Sequence, residues 1–319
     1  MKEAAFIRQN KSRWQEFEKI VKHQKEAQPD RLAELFIQVT DDLAFANTQY
    51  PKSRTTQYLN SLASKVHLEI YKNKKEETNR FVTFWKYELP EVIYNSRKSL
   101  LYSFIVFIVA AIIGTISSFY DDTFVRLIMG DSYVNMTLEN IEKGNPTRVY
   151  STMDEVNMFF MIAWNNVKVA LFCFVSGVFT AIASGLILFQ NGVMVGAFIM
   201  LFYKEQQFLQ AFPVIMLHGT IELSAIVIAG AAGFEIGNSL TFPKTYSRMV
   251  SFKNGAIKGL KIAMGLLPFI ILAAAIESFI TRYAFMHWSM KLLVIGLSAI
   301  LMIWYFIIYP FKLKRDGKY

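Results

Sequence analysis

His218 and Glu222 stand four residues apart inside a stretch, 212–234, that holds no other ionisable group. On a helix that spacing puts both on one face. Glu277 lies near the end of a second apolar stretch, 260–280, and Asn165 and Asn166 stand side by side just before a third, 169–189. Polar groups within apolar spans need partners there, so these five residues form a candidate intramembrane polar network. Three chemistries compete for it: a hydrogen-bonded network that fixes helix packing, a proton or ion pathway, and a metal-dependent intramembrane hydrolase. The last fits worst, because the residues read His-Gly-Thr-Ile-Glu rather than His-Glu-x-x-His, and the other histidine near the apolar part is His287. No Ser/His/Asp or Cys/His arrangement and no phosphate-binding glycine loop is visible. The expectation is a non-enzyme with no catalytic residue, no metal and no cofactor.

The elements that must position these residues are membrane helices. Of 319 residues, 53% are hydrophobic and only 18% charged, with a mean hydropathy of +0.29. Soluble domains carry roughly 25% charge, so too little polar surface is available to enclose a globular core. The single cysteine, Cys173, excludes an internal disulfide, a cysteine-based zinc site and an iron–sulfur cluster. The net charge of +9 belongs to loops and an N-terminal arm, so no nucleic-acid partner is expected.

Five stretches are long enough to cross a bilayer: 100–119, 169–189, 212–234, 260–280 and 292–309. A further apolar segment, 192–203, is short and either crosses or is re-entrant. Lysine and arginine beside short segments mark the cytoplasmic side. Arg97 and Lys98 place the N-terminal arm inside, and Lys244, Arg248, Lys253 and Lys258 do the same for the loop after the His/Glu helix. Segment 120–166 carries three basic and seven acidic residues and reads as outside; within it, 131–143 reads as a helix stopped by Gly144 and Pro146. Lys312, Lys314 and Arg315 put the tail, 312–319, inside. Six crossings satisfy every loop. In that topology His218 lies about 9 Å and Glu277 about 5 Å below the outer ends of their helices, with Asn165 and Asn166 at the outer end of theirs.

Residues 1–78 read as a cytoplasmic helical bundle. Ile7, Trp14 and Val21 recur at spacing seven, with Phe17 and Ile20 beside them. After Pro29 comes a second stripe of Leu32, Leu35, Phe36, Val39, Leu43 and Ala46; Pro51 breaks it, and Leu59, Leu62, Val66 and Ile70 form a third. Residues 79–98 mix Phe81, Phe84, Trp85, Val92 and Ile93 with Arg80, Lys86, Arg97 and Lys98, as in an amphipathic helix lying along the membrane interface. The fold class is therefore all-α: a polytopic helical membrane protein with an N-terminal soluble bundle, its membrane body spanning 99–311.

Small residues repeat every four positions. Gly177, Ala181 and Gly185 do so, as do Gly192 with Gly196, Ala225 with Ala229, and Gly233 with Gly237, while Gly230 lies in the same glycine-rich run. Such ridges let helices approach closely in lipid, within one chain or in a homo-oligomer. Gly255 and Gly259 share the spacing but sit in a basic segment that reads as a loop.

The stretch Leu217-His218-Gly219-x-x-Glu222-Leu223, followed by Ile228-Ala229-Gly230-Ala231-Ala232-Gly233, resembles the signature of the stage II sporulation protein M (SpoIIM) family. Asp42-Leu43-Ala44, Tyr50-Pro51, Tyr58-Leu59-Asn60, His67 and Tyr71 in the arm, and Asn165-Asn166, Asn191-Gly192 with Gly196, and Ile276-Glu277-x-Phe279 in the body, fall in the family's order. The resemblance implies a bacterial cytoplasmic (inner) membrane protein with both termini in the cytoplasm. In spore-formers the family's namesake is a membrane scaffold that recruits peptidoglycan-degrading enzymes during engulfment. The long arm is similar instead to that of members from bacteria that make no spores, which often accompany MoxR-type ATPases and RDD membrane proteins. The expected function is a non-enzymatic membrane scaffold for envelope-associated complexes. The expected partners are lipid, a second copy of the chain, and a MoxR-type ATPase, an RDD protein or a peptidoglycan hydrolase. The alternative is a proton- or ion-coupled transporter or channel using His218, Glu222 and Glu277.

Overall fold

A computed structural model describes residues 2–22, 29–72, 80–146, 154–281 and 286–318, with the side chains of 22, 29–30 and 65–72 outside that description. Among these residues every regular element is helical. The chain divides into two compact units, Met1–Asn79 and Arg80–Tyr319.

In the first unit α1 (Glu3–Lys22), α2 (Pro29–Gln49) and α3 (Arg54–Lys72) close one core. Phe6, Trp14, Phe17, Leu35, Val39, Ala46, Leu59 and Leu62 are buried in it, at spacings that keep each set on one helix face. Phe6 rather than Ile7 leads the α1 seam; Ile7 is only partly buried. One polar group enters this core. Asp42 is nearly buried and takes Nη2 of Arg13 at 2.9 and 2.7 Å and the indole Nε1 of Trp14 at 2.8 Å.

The second unit opens with α4 (Arg80–Thr83), a π-helical turn (Phe84–Glu88) and α5 (Leu89–Asn95). This segment is docked on the helices that follow. Leu89 and Ile93 are buried in the main apolar core, Lys261 reaches Glu88 at 2.6 Å, and the hydroxyls of Tyr305 and Tyr309 donate to the carbonyls of Trp85 and Lys86.

Six helices are long and apolar enough to span a membrane: α6 (Arg97–Tyr120), α9 (Glu155–Ser176), α10 (Ala181–Lys204), α11 (Phe208–Thr241), α12 (Arg248–Ile276, continuing as a π-helical turn over Glu277–Thr281) and the run from α13 (Trp288–Ile303) through a π-turn to α14 (Tyr309–Arg315). The number agrees with the sequence reading, but the partition does not. Residues 169–189 are not one span: Gly177–Thr180 is a tight turn, and the Thr180 hydroxyl caps α10 by accepting from the Ala183 amide. The segment 192–203 is neither short nor re-entrant, being the second half of the 24-residue α10. Segment 120–166 ends earlier than expected, because residues 155–166 are the first half of α9. The basic tail begins as helix, since α14 continues to Arg315 with Leu313 buried.

Helix α11 is the axis, packed by α6, α9, α10, α12 and α13. Its run from Ala225 to Gly237 is almost wholly buried, and glycine or alanine fills seven of its thirteen positions. A methyl group on Gly177 would strike the Gly233 backbone, one on Gly196 the Ala111 carbonyl, and one on Gly237 the Ala181 backbone. Gly192 lies as tightly against Phe107 and Ala110, and Gly230 against Ser103 and Leu188. Gly185 is the exception, with only the Phe234 ring at an ordinary 3.5 Å. Gly255 and Gly259, whose basic neighbours suggest a loop, lie within α12, hard against Glu235, Ser239 and Ala232 of α11. Hydrophobicity gives helices no reason to associate in lipid, so close backbone contact and buried hydrogen bonds must do so. The hydroxyls of Ser103 and Ser184 donate across helices to the Val227 and Cys173 carbonyls at 2.5 and 2.7 Å, and Ser99 donates to Glu235 at 2.6 Å.

Between α6 and α9 lie α7 (Asp122–Met129) and α8 (Asp131–Glu142), where the sequence indicates only the second; residues 147–153 lie outside the description. The Asp121 side chain caps α7 by accepting from the Thr123 hydroxyl and amide, which holds its carboxyl below the usual range. Val125 and Val134 pack with Ala197 and Leu201 of α10, and Lys204 pairs with Asp122. The two short helices are thus fixed to the C-terminal end of α10.

Candidate functional site

Four helices, α9 to α12, enclose a cavity of about 260 Å³. Asn165, Asn166, His218, Glu222 and Glu277, five residues from three helices, all line it. Asn191 of α10 joins them; its signal was present in Asn191-Gly192, but a lone asparagine in an apolar run does not announce which wall it faces. Among the described residues no lysine or arginine lines the cavity.

His218 lies ten residues into α11, about 15 Å along the axis, deeper than the 9 Å expected because α11 begins at Phe208 rather than 212. Asn165 and Asn166 are likewise mid-helix rather than at an outer end. Pro213 sits inside α11 just before His218, and its missing amide donor weakens the helix there. Glu222 follows His218 by one turn. Glu277 opens the π-helical turn ending α12, a widened geometry often met at functional sites.

These three side chains converge: one ligand-type atom from each of His218, Glu222 and Glu277 lies within 4.8 Å of the others. The His218 Nε2 to Glu277 Oε1 distance is 3.9 Å, with both side chains nearly buried. On the other side of the imidazole, Nδ1 lies 3.2 Å from the Thr281 hydroxyl, which lies 3.2 Å from the Ile276 carbonyl. A hydroxyl has one proton to donate. With that proton on the Ile276 carbonyl, Thr281 accepts from Nδ1–H and holds the ring with Nε2 toward Glu277. Thr281 is therefore a positioning residue that sequence reading missed, five residues from the carbonyl it binds.

Across the cavity Asn191 donates to its own helix at Ile187, whereas the buried Nδ2 of Asn166 has no hydrogen-bond partner among the described residues. Phe198 of the cavity wall carries Tyr133 of α8 against it, ring centroids 6.0 Å apart. Burial first, and the nearby Glu277 carboxylate second, push the Tyr133 phenol above its ordinary pKa. Helix α8 therefore reaches the neighbourhood of the acidic cluster.

A bundle of six spanning helices around one small-residue axis, with a polar cavity enclosed by four of them, defines a polytopic helical membrane protein with an internal site. The model of the family described as Stage II sporulation protein M matches residues 103–282, and the chain belongs to that family. The match begins in α6 and includes every cavity residue. A separate model, described as a Domain of unknown function (DUF8413), matches residues 4–72, the three-helix arm. No curated protein and no solved structure matches the chain.

Proposed function

We propose that the protein is a non-enzymatic membrane scaffold of the bacterial inner membrane, assembling or recruiting envelope-associated complexes. The observation that carries this reading is the self-sufficiency of the arm. Its core is closed by its own residues, so its outer surface, including Ile37 at 61% exposure, is free to serve a cytoplasmic partner. Partners consistent with the resemblance are a MoxR-type ATPase, an RDD membrane protein or a peptidoglycan hydrolase, together with a second copy of the chain.

Crosslinking in native membranes, followed by gentle-detergent purification and mass spectrometry, tests the reading. The arm should be removed as residues 1–79 and not 1–98, because Leu89 and Ile93 belong to the membrane core. Reproducible recovery of an ATPase or cell-wall hydrolase, lost with that deletion, is the expected result; recovery of a homo-oligomer alone would sink it.

The cavity supports a second reading, an ion- or proton-coupled transporter using His218, Glu222 and Glu277, whose mark would be a flux into liposomes abolished by Glu222→Gln. Both readings share one topology. Cys173 is buried, so a cysteine at Asn145, exposed just beyond α8, is a clean probe. A membrane-impermeant maleimide is expected to label Asn145→Cys from the outside in intact cells. Labelling only after the inner face is opened would reverse the orientation.

A further inference from the structure

Two carboxyl groups and an imidazole, those of Glu222, Glu277 and His218, face one another inside the membrane unit. Among the described residues no lysine or arginine lines their cavity, and no hydrogen-bond donor is placed on Glu222. Carboxylates facing one another in a low-dielectric setting are costly unless a proton or a metal cation stands between them.

We infer that His218, Glu222 and Glu277 form a binding site for one divalent first-row transition-metal ion. Charge is the first argument: two ionised carboxylates and a neutral imidazole sum to minus two, which one such ion cancels. The second is the imidazole's orientation. Nδ1 lies beside the Thr281 hydroxyl, which in turn lies beside the Ile276 carbonyl, and Nε2 is the ring nitrogen turned toward Glu277. Metal-bound histidines are commonly fixed by such a hydrogen bond from their other nitrogen. The third is distance. Ligands about 2.1 Å from a tetrahedral ion lie about 3.4 Å from one another; the atoms here lie within 4.8 Å, and Nε2 and Oε1 are already 3.9 Å apart. Small side-chain rotations close the difference.

The donor set names the class. Imidazole with carboxylates suits zinc, manganese or ferrous iron, whereas magnesium and calcium favour all-oxygen shells. Three protein ligands leave a position open toward the cavity, where the unpartnered Asn166 amide could donate to water or another ligand on the ion. Sequence reading ranks metal chemistry last because α11 supplies one histidine and one glutamate; the third ligand arrives from α12, 55 residues later. This inference stands apart from the scaffold reading and survives its failure.

The test uses the full chain, purified without a polyhistidine tag, stripped with chelator and titrated with zinc against a fluorescent indicator. Metal content is read by elemental mass spectrometry. One zinc per chain is expected, with Glu222→Gln and Glu277→Gln each weakening binding by about 100-fold or more. Thr281→Val, which removes only the orienting hydroxyl, is expected to weaken it by about 10-fold. X-ray absorption at the zinc edge should show a nitrogen and oxygen shell without sulfur. Should either glutamine variant fail to fold, Thr281→Val and the absorption spectrum decide. A wild-type chain that takes up no stoichiometric zinc overturns the proposal. So does undiminished binding in folded Glu222→Gln and Glu277→Gln, or magnesium competing equally with zinc.

Discussion

Gly233→Leu is expected to abolish the folded membrane unit. At this position the backbones of three helices meet: Gly233 of α11 faces Gly177 at the end of α9, and the Cβ it lacks would strike the Ser184 hydroxyl of α10 and lie 2.7 Å from the Cys173 carbonyl. The last two groups are hydrogen-bonded to each other at 2.7 Å. A side chain would have to break that bond and also push α9 away from the axis. Overpacking by single methylenes costs typically 1–3 kcal/mol, and here the obstacles are a serine side chain tied down by its hydrogen bond and a backbone carbonyl, so a loss of about 3 kcal/mol or more follows. Fluorescence-detected gel filtration should show aggregated or missing protein. Gly185→Ala is the control, because its added methyl meets only the Phe234 ring at 3.5 Å; it should elute as the wild type does. Equal tolerance of both substitutions would mean that the small-residue axis does not hold the bundle together.

Much of this arrangement is legible in the sequence, and what is not has physical causes. The apolar runs of α6, α11 and α12 are uninterrupted enough to be seen, and charge bias suffices to order the loops. The polar residues within those runs converge on one cavity because hydrocarbon leaves them little choice. The α9/α10 boundary is hidden for the opposite reason. Its turn, Gly177-Val178-Phe179-Thr180, is itself apolar, so the helix break leaves no mark on hydropathy. Meanwhile Asn157, Asn165, Asn166 and Lys168 interrupt α9 and make half of it resemble an extramembrane segment. Hydropathy reports the average environment of a stretch, whereas a turn is set by two or three backbone angles and one capping hydroxyl. Gly255 and Gly259 show the same limit, since their basic neighbours Lys253 and Lys258 conceal that α12 and α11 stay in close contact beyond the apolar stretch. Thr281 could not be found by periodicity, because the π-helical turn that carries it departs from the α-helical spacing.

The arm offers the second large effect, at a residue that breaks its own pattern. Leu35, Val39 and Ala46 lie on the buried face of α2, and Asp42 occupies that face among them. A carboxylate there is costly unless it is paired. It is paired twice, with Arg13 and with the Trp14 indole, both from α1. The Asp42 side chain is 12% exposed and that of Arg13 32%, so water screens part of the ion pair. The indole N–H is different, since Trp14 is 3% exposed and Asp42 is the partner placed on it. Asp42→Ala strands that buried indole donor and leaves the guanidinium only Asn10 and water, at a cost of about 2–3 kcal/mol. Asp42→Asn keeps an acceptor for the indole and loses only the screened ion pair, about 1 kcal/mol. For a domain of this size those costs correspond to falls in Tm of about 15 °C and about 5 °C, measurable by circular dichroism on residues 1–79, whose closed core predicts independent folding. Equal destabilisation by alanine and asparagine would place the stabilisation in the Arg13 ion pair instead of the indole hydrogen bond. Failure of residues 1–79 to fold at all would show that the arm depends on the rest of the chain, and would remove the observation on which the scaffold reading stands.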